Sequence, residues 1–291
     1  MSQFDRRLHP VRPDVAAREY EGKCSAARFV DGQLHAIGAD RVALRAEPSQ
    51  SAGVDTELLY GETFEAFDER EGWTWGRNKT DGYVGWLPCA ALSTPFEPTH
   101  RVLALRTYRY PEAELKHPPV GLISLGSQVR VTRMHVNRDL AYAELHDGTF
   151  VVAKHLTEIT ARQDDWVSTA EALLGIPYLW GGRSSLGLDC SGLVQLSAAT
   201  GGHFLLRDAD MQEATAGRAL DISAGLPELQ RGDLLFWKGH VGVLSDPQTL
   251  LHANGYTMTV AYEPLDAALE RIAKNEFGQL TAVRRLPALL D

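Results

Sequence analysis

The chain has 291 residues, 44% of them hydrophobic and 23% charged, with a formal net charge of −9. That is ordinary globular composition, long enough for two or three domains, each with a core of its own. A net negative charge without blocks of Lys and Arg argues against non-specific binding to nucleic acid or to an anionic membrane surface. No stretch approaches the ~20 apolar residues of a membrane span, and Met-Ser-Gln-Phe-Asp-Arg-Arg-Leu-His-Pro at the start has no apolar core of signal-peptide length. As written, the chain is expected to be cytoplasmic. Cys24, Cys89 and Cys190 are an odd number with no CxxC pair, which fits a reducing compartment better than a disulfide framework or a zinc site.

In chain order, residues 1–37 carry Pro10, Pro13 and mixed charges and are expected to form an N-terminal arm draped over another part of the molecule. Residues 38–95 alternate in the manner of short strands. Val42 and Leu44 are followed by Thr63 to Phe67, Trp73 to Arg77 and Tyr83 to Leu87, with Glu71-Gly72 and Asp81-Gly82 as turns. This pattern predicts a small β-barrel. Residues 96–160 repeat it in weaker form: Ala43-Leu44-Arg45 recurs as Ala104-Leu105-Arg106, Asp81-Gly82 as Asp147-Gly148, and Ala90-Ala91-Leu92 as Lys154-His155-Leu156. Thr94-Pro95-Phe96-Glu97-Pro98 reads as the linker between the two.

Residues 161–291 change to an α+β texture. A helix is predicted from Asp164 or Asp165 to Leu174, a second from near Asp189 or Cys190, and a third over Asp208 to Arg218. Strands follow at Leu234 to Trp237, Val241 to Ser245, Thr249 to Ala253 and Met258 to Tyr262.

The chemistry concentrates in this last part. Gly187-Leu188-Asp189-Cys190-Ser191-Gly192-Leu193-Val194-Gln195-Leu196 reads as a turn, an N-cap at Asp189 and a buried helix with Cys190 in its first turn. There a thiol gains from the helix end, and free backbone N–H groups can receive an oxyanion. His240 and His252 fall on the two strands of a short hairpin. If Ser245 faces Thr249, Gly242 faces His252, and the two histidines become diagonal neighbours with room left by Gly242. One imidazole then fixes the tautomer of the other, and a thiolate at neutral pH is expected. Taken singly, a cysteine is more often an inert core thiol, and a strand histidine is more often structural or a metal ligand. A zinc site is disfavoured, because Cys24 and Cys89 lie in other predicted modules.

Pro177-Tyr178-Leu179-Trp180-Gly181-Gly182, Leu188-Asp189-Cys190-Ser191-Gly192-Leu193, Gly232-Asp233-Leu234-Leu235-Phe236-Trp237 and Gly239-His240-Val241-Gly242-Val243 together resemble the NlpC family of papain-like cysteine peptidases. The likeness covers about Asp164 to Leu286, and the two preceding modules resemble bacterial SH3-like domains. The resemblance implies a multidomain fold of two small all-β SH3-like barrels followed by a papain-like α+β catalytic domain. It implies Cys190 as nucleophile, His240 as base, His252 as the residue holding that base, and no metal or organic cofactor. The motif wording is similar to that of γ-D-glutamyl-L-diamino acid endopeptidases, which act on peptidoglycan stem peptides with a free N-terminal L-Ala in cell-wall recycling. In that subgroup the first SH3-like module walls off part of the cleft.

Carried onto this chain, the resemblance puts the substrate ammonium on Asp189 and Tyr83, with Glu62, and lines the dipeptide pocket with Ser191, Tyr178 and Trp180. The residues alone leave plain helix capping open for Asp189 and barrel or core packing open for Tyr83, Trp86 and Trp180. Arg183 is expected either to meet a substrate carboxylate or to be solvated. Asp147-Gly148-Thr149-Phe150 lacks the Tyr and Trp of Gly82-Tyr83-Val84-Gly85-Trp86, so the second module is expected to be structural. Two other functions fit the same residues: a non-catalytic cell-wall peptide-binding protein, and a transferase that passes a thioester to an amine.

Overall fold

The computed structural model describes residues 4–288. The chain divides into two compact units, Met1–Thr160 and Ala161–Asp291.

In the first unit, a seven-stranded sheet runs in the order Val54–Leu59, Arg41–Arg45, Val84–Pro88, Trp73–Asn78, Thr63–Arg70, Gln33–Ile37, Leu92–Ser93. Gln33–Ile37 comes from the stretch expected to be an arm, and it pairs with Thr63–Arg70 and Leu92–Ser93. The arm is also built into the core. Val15 and Ala17 pack with Phe67, Trp75, Val84 and Trp86, while the Arg12 guanidinium lies 4.3 Å over Trp75 and 4.7 Å over Trp86. Arg12 keeps its charge there because it donates to Asp14 at 2.7 Å and to Asp68 at 2.5 Å.

Residues 96–160 form two three-stranded sheets and a hairpin around Val102, Ile123, Val129, Ala143, Leu145 and Val151, and Tyr60 joins that core. The Tyr60 hydroxyl donates to Asp147 at 2.7 Å, and Arg109 donates to both Asp147 (3.0 Å) and Asp40 (2.8 Å), tying the two halves of the unit together. The internal repeat has a structural counterpart. At Asp81-Gly82 and again at Asp147-Gly148 the glycine is left-handed and the aspartate accepts the backbone N–H two residues on. Cys89–Ala91 and Ala153–His155 are both single 3₁₀ turns that lead into a strand.

Among its described residues the second unit holds four helices: α1 (Val167–Ala172), α2 (Cys190–Thr200), α3 (Ala209–Thr215) and α4 (Leu265–Asn275). Its sheet contains β1 (Arg218–Leu220), β2 (Asp233–Trp237), β3 (His240–Asp246), β4 (Thr249–Asn254), β5 (Thr259–Pro264) and β6 (Ala282–Arg285), in the antiparallel order β1-β6-β2-β3-β4-β5. Helix α1 starts later than its aspartates suggested, at Val167, with Trp166 in the N-cap position and the Asp165 carboxylate paired to Arg231 at 2.8 Å. Helix α3 stops at Thr215. Gly217 then turns with φ +45°, and a Cβ there would stand 2.1 Å from the Arg285 carbonyl oxygen, so the chain crosses closely into the β1–β6 ladder.

Helix α4 and strand β6 were not foreseen from the sequence. Leu265, Ala268 and Ile272 of α4 pack on Leu235, Trp237, Leu244, Leu250 and Val283, which makes α4 the cover of one sheet face. The β3–β4 hairpin pairs Val243 with Leu251 and Leu244 with Leu250, then shifts by a bulge so that Asp246 opposes Thr249. Ser245 is therefore the extra residue and not the partner of Thr249, yet the pairing further along still sets Gly242 against His252.

The covered arm yields a stability prediction. Val15→Ala removes fully buried methyl groups from the Trp75–Trp86 cluster and should cost about 1–3 kcal/mol in denaturant unfolding. The same change at Val136, which is 73% exposed, should stay within about 0.5 kcal/mol.

Candidate active site

Helix α2 begins at Cys190, with Asp189 in extended conformation as its N-cap. Asp189 Oδ1 accepts the Gly192 N–H at 2.7 Å, and Oδ2 accepts the Gly181 N–H at 3.0 Å. Arg207, fully buried, donates one nitrogen to each oxygen, at 2.9 and 2.7 Å. Ser191 Oγ donates to Asp189 at 3.3 Å and accepts from Arg207 at 2.9 Å. These contacts need the motif's glycines. A Cβ at Gly192 would lie 2.3 Å from the Gly182 carbonyl oxygen, and one at Gly182 would lie 2.6 Å from that of Gly187. Backbone thus packs on backbone around the start of the helix.

Helix α2 lies against β3 and β4, and the backbone N–H groups of Val241 and Ser191 lie near enough to the Cys190 thiol to favour its ionised form. Val241 directly follows His240. The His240 and His252 rings meet through Nε2 and Nδ1 at 2.9 Å. Gly242 makes this possible, since a Cβ there would sit 2.6 Å from a Leu250 methyl and 3.2 Å from the His252 Cβ. On its face, the His240 ring stacks almost parallel to Phe277, at 5.1 Å and 4°. Behind His252, Nε2 lies 3.2 Å from Glu263 Oε2, out of line for a full hydrogen bond.

The electrostatics bear on the expected thiolate. Burial pushes the Cys190 thiol up to about 12, with the Asp189 charge adding to the rise and the Val241 and Ser191 N–H groups and Arg207 opposing it. Burial pulls the His240 imidazole down to about 3, with His252 and Arg271 adding to the fall and Glu263 opposing it. Burial thus works against both a resting thiolate and a resting imidazolium. Removal from water outweighs the helix end. What the arrangement can do is general-base chemistry, in which a neutral imidazole takes the thiol proton as the sulfur attacks.

Of the other expected residues, Ser191 and Tyr178 belong to this neighbourhood. Burial and the charges of Cys190 and Asp189 push the Tyr178 phenol up, which puts its ring beside them. Trp180 is 73% exposed, so it is not core. Arg183 is buried, against the expectation of a solvated side chain. Tyr83 and Glu62 are buried in the first unit, where Glu62 accepts the Leu59 N–H at 2.8 Å. Trp86 is core.

The sequence reading missed Arg207, Glu263, Arg271 and Phe277. An arginine eighteen residues beyond its aspartate leaves no local spacing signal. Glu263 and Arg271, eight apart across the start of a helix, were legible only once α4 was seen. Among the described residues, no group of three or more His, Cys, Asp and Glu is placed to hold a metal ion.

The second unit thus carries a thiol at a helix start and two hydrogen-bonded imidazoles on adjacent strands. Residues 175–272 match the NlpC/P60 family, and residues 44–92 match the bacterial dipeptidyl-peptidase Sh3 domain. The chain thus carries an NlpC/P60 peptidase domain behind a bacterial SH3 domain. Among relatives, Dipeptidyl-peptidase 6 of Lysinibacillus sphaericus is 36% identical over 103 residues, which are 35% of this chain and only 36% of that protein. The Gamma-D-glutamyl-L-lysine dipeptidyl-peptidase of Bacillus cereus is 25% identical over 243 residues, 73% of this chain and 71% of that protein. A solved NlpC/P60 family protein from Bacillus cereus superposes with a TM-score of 0.72 at 19% identity, covering 88% of this chain and 100% of that one, and so shares the fold. No helix among the described residues is long and apolar enough to cross a membrane.

Burial of this pair predicts slow alkylation of Cys190 by iodoacetamide at pH 7, with a rate that keeps climbing above pH 9, read by peptide-resolved mass spectrometry. A rate already flat between pH 5 and 8 would mean a preformed thiolate.

Proposed function

We propose that the chain is a cysteine endopeptidase that cleaves the γ-D-glutamyl-L-diamino acid bond of peptidoglycan stem peptides bearing a free N-terminal L-Ala, in cell-wall turnover. The observation that carries this reading is the 2.9 Å bond between His240 and His252, with the N–H of Val241, the residue after His240, near enough to the Cys190 thiol to favour its ionised form. The substrate class is supported by the names of the two dipeptidyl-peptidase relatives.

In this reading the Cys190 proton passes to His240 as the sulfur attacks the γ-glutamyl carbonyl. Backbone N–H groups in the first turn of α2 meet the oxyanion. The amine of the diamino acid leaves with the proton from His240. Water, deprotonated by the same ring, then resolves the thioester and releases L-Ala-γ-D-Glu. His252 holds the base in register. Ser191, Tyr178 and Trp180 line the dipeptide pocket. The ammonium is assigned to Asp189. Both Asp189 oxygens already accept from Arg207, so an arriving ammonium shares them.

Cys190→Ala and His240→Ala should each lower the turnover of L-Ala-γ-D-Glu-diaminopimelate by about 10³-fold or more while leaving the unfolding midpoint close to wild type. Wild-type-like rates in either variant would refute the assignment. The N-acetylated peptide should be cleaved at least about 100-fold more slowly than the free amine, since it brings no cation to Asp189 and sets an acyl group in its place. Equal rates would contradict the ammonium site.

A further inference from the structure

Behind the two imidazoles stands an acid that no step of the proposed reaction uses. The Glu263 carboxylate, at the end of β5, is clamped by Arg271 of α4, whose Nε donates to Oε1 at 2.7 Å and Nη2 to Oε2 at 2.8 Å. Arg271 is itself anchored by Glu276 at 2.5 Å. Together Arg271 and His252 hold the Glu263 carboxyl at about 2, so it is ionised at any working pH and accepts only.

The fully buried His252 has its Nε2 3.2 Å from this carboxylate and no hydrogen-bond partner. A ring lone pair facing a carboxylate oxygen at that distance is repelled, whereas an N–H is attracted. The hydrogen of neutral His252 therefore sits on Nε2, and its Nδ1 is a lone pair. That lone pair faces His240 Nε2 at 2.9 Å, so His240 must present an N–H there. Its own lone pair is then on Nδ1, which leaves that nitrogen able to take a proton. Without a fixed acceptor behind His252 the reversed arrangement competes. Its His240 carries hydrogen on Nδ1 and cannot act as a base from that nitrogen. The Phe277 stack on the His240 face restrains the ring from turning over to escape the choice.

We propose that Glu263, clamped by Arg271, is a positioning residue that sets the tautomer of both histidines and so makes His240 Nδ1 a base. The assignment rests on the Cys190–His240 reading above, but the tautomers can be observed without any turnover.

The test is the isosteric Glu263→Gln variant. Arg271 donates to both Glu263 oxygens, so the amide loses one of those bonds in either orientation; the negative charge that favours an N–H at His252 Nε2 is gone in both, and with the NH₂ at the Oε2 position the chain is reversed. Long-range ¹⁵N–¹H spectra of the resting wild-type protein at pH 7 should show both histidines as Nε2–H tautomers. In Glu263→Gln, His240 should become Nδ1–H, and kcat should fall by about 10²-fold or more with KM within about threefold, since a wrong tautomer disables a base whose geometry is intact. An Nδ1–H tautomer at His240 in the wild type would overturn the proposal, whether or not the variant folds. So would a Glu263→Gln protein that keeps both the wild-type tautomers and kcat. If the tautomers behave as stated but the wild type cleaves no γ-D-glutamyl peptide, the substrate reading fails and this one stands.

Discussion

The second unit depends on one buried ion pair. Asp189 caps α2, and Arg207 holds both carboxylate oxygens while the Gly181 and Gly192 N–H groups add one bond to each. Removing one partner of such a pair leaves an uncompensated charge in the interior, a loss of about 3–5 kcal/mol. The same contacts dictate the glycines at 182 and 192, because only bare backbone lets the loop reach the helix. The position of the Cys190 sulfur is a consequence of this cap.

From that position the remaining geometry follows by strand register. The close β2–β3 hairpin, with Trp237 paired to His240, puts His240 at the start of its strand. The next hairpin brings His252 across from Gly242. Helix α4 covers the same face through Leu265, Ala268 and Ile272, and in doing so delivers Arg271 to Glu263. A structural helix and an electrostatic device are thus one element. The site is built dry, and dryness sets its chemistry: charge separation between sulfur and imidazole is unfavourable at rest and must come with the attack on a bound carbonyl.

Much of this was legible in the residues. The N-cap at Asp189 and the pairing of His240 with His252 follow from local rules of capping and alternation, and both were foreseen. The bulge at Ser245 was not, because a hairpin's end can shift by one residue without moving the pairs beyond it. The opposition of burial to a resting thiolate was not foreseen, for a different reason. A helix end is visible in sequence, but the degree of burial that outweighs it is a property of the packed whole. Arg207 and Glu263 were missed because long-range ion pairs leave no periodic trace. The N-terminal segment was read as an arm from its prolines, and its apolar residues at 15 and 17 proved to be core.

The central claim is that Cys190 forms a thioester with the γ-glutamyl carbonyl. Acid-quenching the protein within milliseconds of mixing with L-Ala-γ-D-Glu-diaminopimelate, followed by intact-mass and peptide mass spectrometry, tests it most directly. The account predicts an L-Ala-γ-D-Glu acyl group on the peptide containing Cys190, appearing before free dipeptide accumulates. Steady release of the dipeptide with the group found on another residue would contradict it.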